Sequence, residues 1–290
     1  MMLEDQIKWN RRKSYALLFI VPLILLGLIF VTGKIFVPRM SPFLILAAGS
    51  AISVLYVLFS YFRSDEMILS VVGAEKADKD RYRRLYDLME GLTISSGMPK
   101  PELYVQEDDR INAFATGRKP EDGKVCVTTG ALERLDKDEL EGVLAHELSH
   151  IKNQDIMFMT IAVALIGMIS ILSELLLHSM FFGAGDRDAP PWAIAAGLIL
   201  AVLAPISARM VQLAISRKRE YLADASGAEM TRYPEGLASA LEKIQQQKDQ
   251  KMDVNKAVSH LYFSNPLKNR ASFFSTHPPL EKRIERLREM

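Results

Sequence analysis

The stretch Asp136-Lys137-Asp138-Glu139-Leu140-Glu141-Gly142-Val143-Leu144-Ala145-His146-Glu147-Leu148-Ser149-His150 decides the reading of this chain. Asp136 with Glu139 three residues later is a capping box, and it predicts a helix opening at about Lys137. On such a helix residues i and i+4 share a face, so the imidazoles of His146 and His150 can reach one metal ion. Glu147 then lies beside the metal's open coordination position. Two surface histidines on an amphipathic helix would give the same five letters. The clean cap and the helix formers around the motif weigh against that plainer reading.

A tetrahedral catalytic site takes three protein ligands and leaves the fourth position to water. Asn153 and Ile156 stand where the H-E-x-x-H-x-x-G-x-x-H pattern of the metzincins demands glycine and histidine, so that class is excluded. The best candidate for a third ligand lies in Arg219-Glu220-Tyr221-Leu222-Ala223-Asp224. Glu220 would bind the metal, and Asp224, one helical turn on, would accept a hydrogen bond from the far nitrogen of a ligand histidine. Taken alone, this stretch reads better as an ordinary charged helix face.

Hydropathy gives the surroundings. The chain has 290 residues, 49% hydrophobic and 24% charged, yet its mean hydropathy is +0.07. That combination points to a chain divided between lipid and water. Residues 15–33 and 42–62 carry no charge and meet the length of about 20 apolar residues that a bilayer core requires. Residues 156–182 contain Glu174 and His178, and residues 192–215 contain Arg209. These polar groups belong near the interface or against protein, and a buried hairpin in a soluble core is the plainer alternative for those two spans. The first span exceeds a signal-peptide apolar core and is followed by no A-x-A-like site, so it reads as a permanent anchor.

Lysine and arginine placement sets the orientation. Lys8, Arg11, Arg12 and Lys13 precede the first span, Arg63 to Arg84 follow the second, and Arg217 to Arg219 follow the fourth, whereas the short links hold few basic residues. The N-terminus, residues 63–155 and the C-terminal segment are therefore expected on the cytoplasmic side of the plasma (inner) membrane. His150 lies six residues before the third span and Glu220 five after the fourth. On an antiparallel hairpin they stand roughly 9 and 8 Å above the membrane boundary. Hydropathy and ligand chemistry thus put the ligands at one height. The expected organisation is a leader (1–14), a transmembrane hairpin (15–62), a catalytic part (63–155), a second hairpin (156–215) and a second catalytic part (216–290).

The water-facing parts are mixed. Residues 80–96 have helical periodicity, with Leu85, Leu88, Met89 and Leu92 on one stripe. Strand-like runs follow at 103–106, 111–116 and 125–129, the last two joined by a loop containing Asp122-Gly123, a hairpin signal. Helical patterns cover 217–248 and 278–289. Cys126, the single cysteine, excludes an intrachain disulfide and reads as a core residue of a strand. Glu174 and His178, spaced i, i+4, suit the outer interface of an overlong span better than a second metal site. With 36 basic and 35 acidic side chains the chain lacks the basic excess of a nucleic-acid binder.

Several segments together resemble one family. Asn112-Ala113-Phe114-Ala115-Thr116-Gly117, Thr129-Gly130, His146 to Asp155, Ser216 to Asp224, Asn265-Pro266-Leu267, and Phe274 to Arg283 occur in family order around four hydrophobic spans. The chain resembles HtpX, a family of membrane-bound zinc metallopeptidases related to the CAAX-prenyl proteases. The charged leader through Lys13 is a departure from members that begin almost at the first span. The resemblance implies an α+β integral membrane protein, mostly helical, with four transmembrane helices and a gluzincin-type catalytic domain holding a small β-sheet. It implies one zinc ion per chain, bound by His146, His150 and Glu220, with Asp224 and Asp155 behind them. It implies cleavage of misfolded or damaged membrane polypeptides at the cytoplasmic face, in cooperation with other membrane proteases. It further implies that His277 and Arg283 contact the scissile carbonyl; from sequence alone these two read as a helix N-terminus and a surface arginine.

Zinc chemistry then assigns Glu147 as general base. The strand through Asn112, Ala113 and Phe114, if it lies at a sheet edge, would hold substrate extended by main-chain pairing. Two rivals remain at this stage. A site-2-type intramembrane protease would embed the motif in a spanning segment, whereas here five charged residues between Asp136 and Glu141 precede it. A non-cleaving, metal-binding membrane scaffold or chaperone-like protein would have no use for an intact Glu147.

Overall fold

The computed structural model describes residues 3–157, 159–160, 191, 195, 197–198, 217–247, 262–263 and 278–290. The chain divides into two compact units, one of Met1–Arg11, Asp65–Thr160 and Ile215–Met290, the other of Arg12–Ser64 and Ile161–Ala214. The expected spans 156–182 and 192–215, with Glu174, His178 and Arg209, lie almost wholly outside the described residues, as does His277.

Most of the described part of the second unit comes from helices α1 (Leu3–Phe36) and α2 (Pro42–Val71), whose ends Leu3–Arg11 and Asp65–Val71 belong to the first. α1 is helical from Leu3 through the first apolar run without a break. Leu25, Leu28 and Val31 of α1 and Ile45 of α2 are buried. Gly49 has Leu26 and Ile29 against it, where an added Cβ would stand 3.1 Å from both side chains. Lys34 Nζ donates to the Met40 carbonyl (2.9 Å) across the link. Among the described residues, α2 is the helix long and apolar enough to cross a membrane, by length and composition.

The first unit holds a four-stranded mixed sheet in the order β1-β2-β4-β3. The strands are β1 (Glu75–Lys76), β2 (Glu102–Gln106), β3 (Ala113–Thr116) and β4 (Lys124–Thr128). β2 and β4 are parallel, and the outer pairs are antiparallel. The three expected strands are present within two residues at each end, and β3 does lie at an edge. The polar two-residue β1 has no periodicity to read, and it was not expected.

Helix α3 (Arg83–Ser96) buries the expected stripe. It starts three residues late because Asp78 accepts from the Arg81 N–H (2.8 Å) and holds a turn there. A short helix α4 (Thr129–Arg134) follows β4 directly, where strand had been expected at residue 129. Helix α5 (Lys137–Lys152) opens with the capping box: Glu139 N–H donates to Asp136 Oδ1 (3.0 Å) and Asp136 N–H to Glu139 Oε2 (2.8 Å).

The single helical run expected over 217–248 is two helices, α6 (Arg217–Thr231) and α7 (Pro234–Gln246). Arg232 takes φ +53, and Pro234 can only start a helix, not continue one. The last helix is α8 (Leu280–Arg288). Helices α6 and α7 reach α5 through backbone contact. A Cβ at Gly227 would lie 3.0 Å from the His146 nitrogen, and one at Gly142 2.7 Å from the Leu237 nitrogen.

Candidate metal centre

α5 turns His146 and His150 to one side, and α6 brings Glu220 opposite them. One ligand atom from each of the three lies within 4.8 Å of the others. The imidazole Nε2 atoms are 3.2 Å apart. Glu220 Oε2 is 3.9 Å from His146 Nε2, and Oε1 is 3.7 Å from His150 Nε2. Ligand atoms at about 2.0–2.1 Å from one tetrahedral ion stand roughly 3.3 Å from each other. The three side chains therefore fit a tetrahedral cation once the Glu220 carboxylate closes on the two imidazoles by about half an ångström to an ångström.

The far side of each ring is fixed by a carboxylate. His146 Nδ1 is 3.0 Å from Asp224 Oδ1, and His150 Nδ1 is 3.1 Å from Asp155 Oδ2. With the Nδ1 protons donated outward, both Nε2 lone pairs face the same point, which suits a shared cation. Burial pushes His146 down to about 4, against the pull of Asp224. Burial also works against His150, but the Asp155 hydrogen bond and the charges of Glu220, Asp155 and Glu147 outweigh it and raise it to about 9. Between the two Nε2 atoms, 3.2 Å apart, there is room for one proton at most. Glu147, Glu220, Asp155 and Asp224 are all buried together with Arg219 and Arg283. With all four carboxylates ionised and both imidazoles neutral, as metal ligands are, the two guanidiniums leave a formal charge of −2, which a divalent ion balances.

Glu147 is buried beside this group. Burial, reinforced by Glu220 and opposed by His150, raises its carboxyl to about 7. The Ala115 N–H of β3 donates to it. The other residues expected at the substrate also lie on or next to β3. Asn112 is pinned by its N–H to Thr128 Oγ1 (2.9 Å), and its Oδ1 accepts from the Ala113 N–H (3.1 Å). The Ala113 carbonyl accepts from the Phe263 N–H (2.7 Å). Phe114 stacks edge-on against Tyr262 with ring centroids 5.1 Å apart.

Arg283 departs from the plainer of its two sequence readings. It is not a surface arginine, since its side chain is fully buried. Its guanidinium is spent on Asp224, with Nε 2.9 Å from Oδ2 and Nη2 2.6 Å from Oδ1. Nη1 lies 3.9 Å from Glu220 Oε2. The guanidinium also sits over the Phe263 ring at 4.7 Å, and that ring meets His146 edge-on at 4.8 Å. Arg283 thus faces the back of the metal centre, where Asp224 holds it. Phe263 and Tyr262 were missed by the sequence reading, as was Arg219, whose Nη1 stands 3.7 Å from Asp155 Oδ1. Tyr262 and Phe263 belong to no local pattern, and Arg219 reads in the sequence only as a neighbour of Glu220 and one of the basic residues that set the orientation. Cys126 is buried in β4 and burial raises its thiol far above the usual range, which makes it a core residue as expected.

Comparison with known proteins shows which family the chain belongs to. Residues 79–290 match the model of peptidase family M48. The chain is 42% identical over 289 residues to the protease HtpX homolog of Dictyoglomus thermophilum, covering 99% of this chain and 94% of that protein. It is 39% identical over 292 residues to the protease HtpX homolog of Tropheryma whipplei, covering 100% and 99%. Its fold is similar to the crystal structure of S. mikatae Ste24p, with a TM-score of 0.53 at 20% identity, over 98% of this chain and 66% of that one.

Proposed function

The chain belongs to peptidase family M48 as an HtpX-type membrane metalloprotease, and on that premise we propose that it is a zinc endopeptidase that cleaves misfolded or damaged membrane proteins at the cytoplasmic face. The observation that carries this reading is the meeting of the two Nε2 atoms at 3.2 Å with the Glu220 carboxylate across from them. His146, His150 and Glu220 hold the ion, and Asp224 and Asp155 orient the two rings. Bound zinc lowers the pKa of water and polarises a peptide carbonyl.

Glu147 takes the proton of the attacking water and returns it to the leaving amine; burial raises its proton affinity into the range where both transfers are easy at neutral pH. The outward main-chain groups of Ala113 are taken by the Phe263 N–H and by Asn112 Oδ1, so an extended substrate pairs with Asn112 through Phe114 beside Glu147 only by displacing Phe263 from the Ala113 carbonyl. Such pairing reads backbone more than side chains and suits a quality-control protease. His277 contacts the scissile carbonyl. Arg283 has the different task of holding Asp224 against His146.

The exposed apolar surface of α2 and the lysine and arginine distribution support a multi-pass protein of the plasma (inner) membrane, with four spans and both termini and the active site cytoplasmic. Lipid and unfolded membrane polypeptides are its partners, together with other membrane proteases.

Two experiments test these assignments. Glu147→Gln should lower casein cleavage by about 10²–10⁴-fold with zinc still near one per chain, whereas Glu220→Ala should lose zinc. Substantial activity in the first variant, or wild-type zinc affinity in the second, contradicts the site. For the topology, single cysteines at Asp108 and Gly185 in a Cys126→Ser background are treated with an impermeant thiol reagent outside intact cells. Gly185 should label and Asp108 should not; the opposite pattern inverts the orientation.

A further inference from the structure

Each metal-facing imidazole leans on a buried aspartate, and each aspartate has an arginine behind it. On the His146 side Arg283 grips Asp224 with two short bonds, at 2.9 and 2.6 Å. On the His150 side Asp155 offers Oδ2 to the ring at 3.1 Å, while its Oδ1 stands 3.7 Å from Arg219 Nη1. Arg219 and Asp155 are both buried. Removing the cation from a buried ion pair is far costlier than losing a surface pair.

We propose that Arg219 is a positioning residue of the metal centre, acting through Asp155 on His150. The proposal rests on the metal-site reading above. It goes beyond that reading in giving a role to the residue immediately before Glu220. The first turn of α6 thereby supplies both a ligand and the cation that braces the opposite ligand. Asp155 lies just past the end of α5, and Arg219 lies in the first turn of α6. In sequence these are the two points where the chain leaves the catalytic part for the segment 161–214 and returns from it. The pair therefore ties the exit to the re-entry at the metal itself.

The contrast between the two arginines predicts different chemistry. Arg283 needs its planar fork, because it bonds both oxygens of Asp224. Arg219, at 3.7 Å, acts mainly as a charge. Lysine should therefore serve at position 219 and fail at position 283.

The test uses the full chain, purified in detergent and loaded with zinc. Zinc release to an excess of chelator is timed, and the visible absorption of the Co²⁺-substituted protein is recorded. Arg219→Met should release zinc about 10-fold faster and shift the Co²⁺ bands, as should Asp155→Asn, a loss of the order seen when a ligand's hydrogen-bonding support is removed. Arg219→Lys should stay within about threefold of wild type, whereas Arg283→Lys should not. The double variant Arg219→Met/Asp155→Asn should be no faster than Asp155→Asn alone, because both act on one chain of contacts. Wild-type release in Arg219→Met beside fast release in Asp155→Asn overturns the proposal. So does a double variant whose rate is the product of the two effects. If Arg219→Met does not accumulate folded, Arg219→Gln replaces it in every arm. Retention of zinc by Glu220→Ala would mark failure of the metal-site reading itself and not of the role of Arg219.

Discussion

Helices α2 and α5 invert each other. α2 is built of apolar residues and shows them: Phe43 is 76% exposed and Leu55 66%. α5 carries two histidines and a glutamate in its second half and hides them: His146 is 0% exposed and Glu147 2%. In water each arrangement would be unfavourable, the first by exposed apolar area and the second by desolvated charge. Each makes sense once its missing surroundings are supplied. The surface of α2 calls for a lipid solvent, and the buried face of α5 calls for a counter-charge. The direction in which a helix breaks the usual rule therefore shows which kind of surroundings it serves.

The largest test of this contrast removes a counter-charge from the α5 side. Arg283→Met leaves Asp224 buried without its cation, so stability should fall by about 3–5 kcal/mol in denaturant or thermal unfolding, and zinc affinity by roughly 10–100-fold. Unchanged zinc affinity with a large loss in kcat would restore a direct role at the scissile carbonyl. Next comes the lipid side. Leu55→Arg should cost about 2.5–3.5 kcal/mol in a membrane-insertion assay of the α2 segment, and insertion at the wild-type level would mean that this face meets protein or water.

A smaller effect is expected where α5 begins. Asp136→Ala removes one half of the capping box and should cost about 1 kcal/mol without altering metal content. The smallest belongs to Arg286, one turn from Arg283 on α8. Its guanidinium lies 3.9 Å from the centre of the Tyr221 ring on the exposed side of the helix. Arg286→Met should cost about 0.5–1 kcal/mol and leave zinc binding intact. Equal behaviour of the two arginine variants would erase the distinction between buried and exposed charge on that helix.

What the sequence disclosed follows the range of the interactions concerned. The capping box of Asp136 and Glu139 is local, and both of its hydrogen bonds are present. The histidine pair is one helical turn apart and faces one way, as its spacing requires. The strands were legible as short strand-like runs, the last two also through the turn signal at Asp122-Gly123. Arg283 was misread because its partner is 59 residues away in the chain, and a helix N-terminus looks the same whether it faces water or a buried aspartate. Phe263 was invisible for a similar reason: its main chain meets β3 and its ring meets His146, neither of which leaves a trace in the residues beside it. The break between α6 and α7 stood in the sequence as Tyr233-Pro234 and was outweighed by the helical pattern on either side.

The glycines at 142 and 227 have a consequence for how this molecule can vary. Where helices meet through side chains, each exchange of leucine for isoleucine or methionine can change their separation. Here α6 and α7 rest on α5 main chain against main chain, and a single added carbon at Gly227 would already stand 3.0 Å from the His146 nitrogen. The spacing between the histidines and the glutamate opposite is therefore referenced to the backbone and not to the surrounding apolar residues. Those residues are free to drift over generations, or to be randomised in a library, without moving the reference, whereas even alanine at either glycine would shift it.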